Sequence, residues 1–247
     1  MKPFSLKHYL SSGLDIRVWG YAMIMFNSCC VSYALAYFMP IIMVENMGFS
    51  VVQAQCLGAP SNVFGAIIIW LTGWGGDKYR LRGPMIIFNA VLCVIGLPIM
   101  GLHPTPGVRY FGAFLVNAGG HANVPAVMSY QANNIRGQWK RAFCSSITIM
   151  FAGIGGIAGS LVFRRQDSPH YLPGIWACLT ASCLSIIIPC LLSVHAWIQN
   201  KRADRGEIEL ECEPVSRLFL FLSFSRARNE LTKPQGDNYP PGFRYTH

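Results

Sequence analysis

Gly73-Trp74-Gly75-Gly76-Asp77-Lys78-Tyr79-Arg80-Leu81-Arg82-Gly83-Pro84 lies between two apolar stretches, Val52–Leu71 and Met85–Leu102, neither of which contains Asp, Glu, Lys or Arg. Each stretch is near the roughly 20 residues that cross about 30 Å of hydrocarbon as a helix. A basic, glycine-rich segment between them reads as a short loop at a membrane surface. Its glycines suit close approach of two helix ends. Asp77 can cap the following turn or pair with a basic residue.

Four more spans of the same kind follow outward in both directions: Val18–Val44, Tyr110–Gln131, Phe143–Phe163 and Leu172–Trp197. With the N-terminus placed inside, the basic residues of the lead-in, of the loops around Lys78 and Lys140, and of the tail share one side. Of 20 Lys and Arg, only Arg109, Arg164 and Arg165 fall on the other. The excess of Lys and Arg on one side places both chain ends in the cytoplasm. The expected organisation is a cytoplasmic lead-in over 1–17, a six-helix transmembrane domain over 18–198 and a largely disordered cytoplasmic tail over 199–247. The first span is too long and too late for a cleaved leader and is expected to act as an uncleaved signal anchor. The fold class expected is an all-α membrane protein.

Composition agrees. The 247 residues are 52% hydrophobic and 13% charged, about half the charge fraction of a soluble domain. The net charge of +9 does not indicate a nucleic-acid partner, because the basic residues cluster at span ends. They suit the anionic inner leaflet of a lipid bilayer. Nine cysteines include no Cys-x-x-Cys pair, and they read as small packing residues rather than disulfides or metal ligands. No cofactor and no metal is expected. Ser50 is the expected N-cap of the second helix. Loops this short are expected to make sequential helices neighbours.

Gly73…Asp77…Arg82 resembles the signature loop of the major facilitator superfamily, with Trp74, Leu81 and Lys78 departing from its commonest form. A longer series is more specific. It comprises Asn123-Val124-Pro125-Ala126, Asn133-Asn134 with Gly137, Lys140-Arg141-Ala142, the glycines from Gly153 to Gly159, and Asp167, Pro169, Tyr171, Gly174. With Tyr37-Phe38-x-Pro40 and Met47-Gly48-Phe49-Ser50, it resembles the C-terminal half of the fungal anion:cation symporters, the allantoate permease-like members of that superfamily. The resemblance runs from about Trp19 to Asn200, and Phe243-Arg244-Tyr245 resembles their tail ending. It implies half of a twelve-helix fold, a transport role by alternating access, and a conformational latch at Gly73, Asp77 and Arg82. Such a half is expected to be a truncated product, or one whose first half is a separate or missing piece. Val215–Arg228 interrupts the tail in a way that fits read-through of non-coding sequence.

Polar groups near the bilayer midplane are costly and point to function. Asn117 and His121 share one face of the fourth span. Trp19, Phe26, Cys30, Tyr33 and Tyr37 form a stripe on the first, with Asn27 beside it. In the resembled fold these two spans line the cavity, so Asn27, Tyr33, Tyr37, Asn117 and His121 are the candidate substrate ligands, suited to a small planar organic anion. Each has a plainer reading: a stripe that packs helices, or an interior histidine with its bonds satisfied. Gly155 and Gly159 form a Gly-x-x-x-Gly packing face on the fifth span, static or sliding. No span contains Asp or Glu, so proton coupling would fall to His121 or to another chain. The expected partners are a small organic anion, protons, the bilayer, and a second half-permease or second copy. The expected location is the plasma membrane, with vacuolar or other endomembranes as alternatives. A non-transporting half with an interaction or regulatory role is the competing function. Gly-x-Ser-x-Gly, His-Glu-x-x-His and P-loop motifs are absent, which argues against an enzyme.

Overall fold

The computed structural model of the protein describes residues 9, 12–79, 82–135, 137–164 and 171–205. After a short 3-10 turn at Ser12–Leu14, six long helices follow: α1 Ile16–Met47, α2 Val51–Tyr79, α3 Arg82–Leu102, α4 Pro106–Asn134, α5 Gln138–Val162 and α6 Leu172–Asp204. Five are long and apolar enough to cross a membrane by length and composition. The exception is α4, whose length suffices but whose interior carries Asn117, His121, Asn123 and Gln131. Large apolar side chains such as Trp70, Ile157, Leu161 and Leu191 face outward, while Asn27, Asn89, Asn117 and Asn123 face inward. Apolar outside and amide inside is the arrangement a hydrocarbon solvent selects.

Helix limits reach beyond the apolar spans. The expected loop from Gly73 onward is helical through Tyr79, and α6 continues past Trp197 into the first residues assigned to the tail. Hydropathy marks the hydrocarbon slab, whereas backbone hydrogen bonding carries a helix on into the headgroup layer. Ser50 caps α2 as expected: its Oγ accepts from Gln53 N at 3.2 Å, and Gln53 Oε1 accepts from Ser50 N at 2.9 Å. Upstream, Gly48 ends α1 at φ 72°, and Phe49 N donates to Met43 O. A left-handed residue there favours glycine. The remainder of the tail from 206, most of the lead-in, and Cys212 lie outside the described residues.

One expectation is overturned. Of the consecutive pairs only α3–α4 pack along their length, while α1–α2, α2–α3, α4–α5 and α5–α6 barely touch. The main contacts are instead α1 with α5, α4 and α6, α4 with α2 and α3, and α3 with α6. A short loop holds only two helix ends together. Which faces meet along the length is decided by where small residues let backbones approach. A Cβ at Gly155 would lie 2.4 Å from Phe26 O, and one at Gly159 2.4 Å from Cys30 O, so these glycines seat α5 on α1. Gly112 and Gly96 do the same between α4 and α3. Exchanging α1 with α4, α2 with α5 and α3 with α6 returns the same set of main contacts. Two interlocked three-helix repeats are the architecture of one half of a major facilitator fold.

Five of the described cysteines, Cys29, Cys30, Cys93, Cys144 and Cys178, are buried and all described cysteines are free. Aromatic clusters close the two ends of the bundle. Phe38, Phe163 and Tyr171 pack at ring distances of 4.8 to 6.2 Å at one end, and Tyr21 meets Tyr130 edge-on at 5.2 Å at the other.

Candidate functional site

The α1–α4 contact is built on Ser32 and Gly120: a Cβ at Gly120 would lie 3.0 Å from Ser32 Oγ. The next residue on each helix is a candidate. Tyr33 of α1 and His121 of α4 are both exposed and flank this contact. Tyr37, one turn beyond Tyr33, stacks on it with ring centroids 6.5 Å apart.

One turn from His121, Asn117 is 6% exposed. Its Nδ2 donates to Ser61 Oγ and to Asn62 Oδ1 of α2, each at 3.0 Å. Both amide hydrogens are therefore used inside the bundle. Asn117, expected beside His121 as a donor, spends its amide on α2, whereas its partner Asn62 is an exposed residue. Asn62 gives little sign in sequence, because its link to α4 spans 55 residues.

His121 Nδ1 lies 3.0 Å from Asn117 O. A carbonyl only accepts, so Nδ1 carries the hydrogen, and Nε2 is the ring nitrogen left outside that bond.

The aromatic stripe of α1 divides. Trp19 meets Phe151 at 6.0 Å, the Phe26 and Cys30 backbones meet Gly155 and Gly159, and the Tyr33 ring lies over Gly156, so the stripe follows the α1–α5 contact. Only Tyr33 and Tyr37 add exposed ring surface near the Ser32–Gly120 crossing. Asn27 is 3% exposed, inside the bundle and apart from that face.

At the other candidate region, Asp77 and Arg82 form an ion pair in which Arg82 is 14% and Asp77 71% exposed. The close approach is at Gly75 and Gly76, where an added Cβ would meet Met85 and Arg82 at 3.2 Å, whereas Gly73 has open space around it. Lys78 Nζ sits 4.6 Å from the Trp74 ring centroid, so two of the departures from the commonest loop form contact each other.

A charge cluster escaped the sequence reading. Asp15, the N-cap of α1, accepts from Arg17 N at 2.9 Å, pairs with Arg17 Nη2 at 2.7 Å, and pairs with Lys140 Nζ of α5 at 2.7 Å. Burial alone would raise its carboxyl; the hydrogen bonds from Arg17 and Lys140 outweigh that and hold it well below the usual carboxylate range. Its one sequence signal is an acidic residue directly before an apolar helix start.

No protein-family model matches the chain. Curated relatives do. The chain is 28% identical over 191 residues to the high-affinity nicotinic acid transporter of Saccharomyces cerevisiae, covering 77% of this chain and 35% of that protein. It is 31% identical over 179 residues to the MFS-type transporter cnsO of Penicillium expansum, covering 70% of this chain and 34% of that protein. It is 31% identical over 186 residues to the major facilitator-type transporter hxnP of Emericella nidulans, covering 72% of this chain and 36% of that protein. The chain thus spans about a third of the length of these relatives. With its two interlocked three-helix repeats and apolar exterior, the chain is an all-α, multi-pass membrane protein related to the fungal transporters of the major facilitator type.

Proposed function

We propose that this chain forms half of a proton-coupled transporter for a small planar organic anion, of the allantoate permease-like kind. The carrying observation is the α4 arrangement in which Asn117 O orients His121 Nδ1 and leaves Nε2, on an exposed residue, outside that bond to meet an anion or a proton. Anion and proton then favour each other at that edge, with the linkage equal in both directions. Asn62 Nδ2 supplies the second donor, and Tyr33 and Tyr37 a flat apolar wall. Nicotinic acid, named for one relative, is a planar carboxylic acid of the size such a face would take. A second copy of the chain covers the exposed polar side, so the purified chain can assemble the whole path. Both chain termini lie on the cytoplasmic side of a plasma-membrane protein.

Proteoliposomes holding the purified chain are expected to accumulate radiolabelled nicotinate, or a related aromatic monocarboxylate, under an inward proton gradient. Accumulation no greater than in empty vesicles across a panel of such acids overturns the reading. In the active assembly His121→Gln, which keeps a donor but cannot carry the coupled proton, is expected to weaken apparent affinity and flatten the pH dependence of uptake. An unchanged pH profile and affinity would return His121 to packing.

The Gly73–Arg82 region acts as a latch in the same cycle. The Asp77–Arg82 pair is open to solvent on the Asp77 side, so it contributes under about 1 kcal/mol to stability. Asp77→Asn and Arg82→Ala are therefore expected to insert normally yet slow uptake. Quantified membrane protein and initial rate separate the two effects, and normal rates at normal abundance reject the latch.

A further inference from the structure

We infer that the interior of the bundle holds an ordered water between Asn89 of α3 and Asn123 of α4, at a site separate from the exposed His121 face. Asn89 is 0% exposed and Asn123 3%. Neither Nδ2 nor Oδ1 of Asn89 has a hydrogen-bond partner among protein atoms, nor has Oδ1 of Asn123. Buried polar atoms are almost always satisfied by protein or by water, and leaving one bare costs on the order of 1–3 kcal/mol.

The packing register brings these amides together. A Cβ at Gly119 would lie 2.4 Å from Asn89 O and 2.8 Å from Cys93 Sγ, so α4 at Gly119 abuts α3 at Asn89. Asn123 follows Gly119 by one turn on the same side of α4. The two helices run antiparallel, and helical side chains lean toward their own N-terminus. That lean brings the Asn89 and Asn123 side chains toward the same level of the α3–α4 interface. Gly101 against Ile175 and Gly20 against Leu192 set α6 beside α3 and α1.

The chemistry of the bare atoms selects the occupant. Asn89 presents an unmet donor and an unmet acceptor, and Asn123 an unmet acceptor. Water donates twice and accepts twice, so one molecule can serve all three. A monovalent cation would satisfy the oxygens but face the Asn89 Nδ2 hydrogens.

Cys93, one turn from Asn89 on α3, is the reporter. Brief X-ray radiolysis of the purified full chain in lipid vesicles generates hydroxyl radicals from bound water, and these label adjacent thiols. Cys93 is expected to label well above the lipid-facing Cys183, equally in sodium and in choline. Asn89→Leu is expected to lower that labelling several-fold and to lower the unfolding midpoint, because it leaves Asn123 Oδ1 bare. Unlabelled Cys93 in the wild type overturns the inference. Labelling suppressed by sodium but not choline assigns a cation instead and overturns it also. An unfolding midpoint raised by Asn89→Leu would mean a dry site whose orphan amide was better removed. The wild-type labelling decides the matter even where the variant fails to fold.

Discussion

Gly155→Val is expected to cost the bundle about 3 kcal/mol or more, the upper range for forcing extra volume into a packed interior. The obstacle is backbone: an added Cβ would sit 2.4 Å from Phe26 O and 3.1 Å from Phe26 Cα. No rotamer change relieves that, so α5 must move off α1. Gly159→Val meets Cys30 O at 2.4 Å and should behave alike. Two neighbours on the same helix serve as references. A Cβ at Gly156 would touch only the Tyr33 ring, at 3.2 Å, which can swing. Gly153 has open space and should accept alanine with a gain of up to about 1 kcal/mol from helix propensity. Unfolding of the purified chain in mild detergent ranks the four. A Gly155→Val midpoint equal to that of Gly153→Ala would show that α1 and α5 do not approach as closely as described. The α1–α5 contact joins the two three-helix repeats, so loss of packing there should also remove any transport.

Asp15→Asn is expected to be the next most damaging change, at about 2 kcal/mol near neutral pH. It removes the carboxylate shared by Arg17 and Lys140, whose side chains are each only 16% exposed, while leaving a cap that can still accept from Arg17 N. Breaking a partly buried pair costs more than the pair is worth, because the cations stay behind. The pH dependence has a definite sign. The folded carboxyl is held below its unfolded value. Its contribution is therefore complete above the unfolded value, near pH 4, and fades as pH falls through the lowered folded value. The gap between wild type and Asp15→Asn should be widest near neutrality and shrink in acid. A gap that widens in acid, or none at pH 7, would mean that the cluster does not tie α1 to α5.

Much of this protein was legible in its residues, because membrane insertion is a local matter. Hydrocarbon length and the absence of charge locate the cores of all six helices, α4 included, although its amides make it too polar for a composition test. Ser50 and Gln53 sit three apart and cap α2 by local bonds alone. The glycine spacing on α5 marks a close-packing face from the helical period.

The period says that a face exists but not which helix covers it. Only the tertiary structure decided that the α1 stripe runs along α5, that Asn27 turns inward, and that Gly75 and Gly76 rather than Gly73 take the close approach. The donor count at the candidate site is likewise non-local. Asn117 and His121 look equivalent on one helix until Ser61 and Asn62, more than fifty residues away, consume both hydrogens of the Asn117 amide. Asp15 reads as part of a polar lead-in until Lys140 arrives from α5. Helix position is set by each segment's own transfer free energy into lipid. Hydrogen-bond allocation and charge pairing depend on groups from other helices, and those meet only in the assembled bundle.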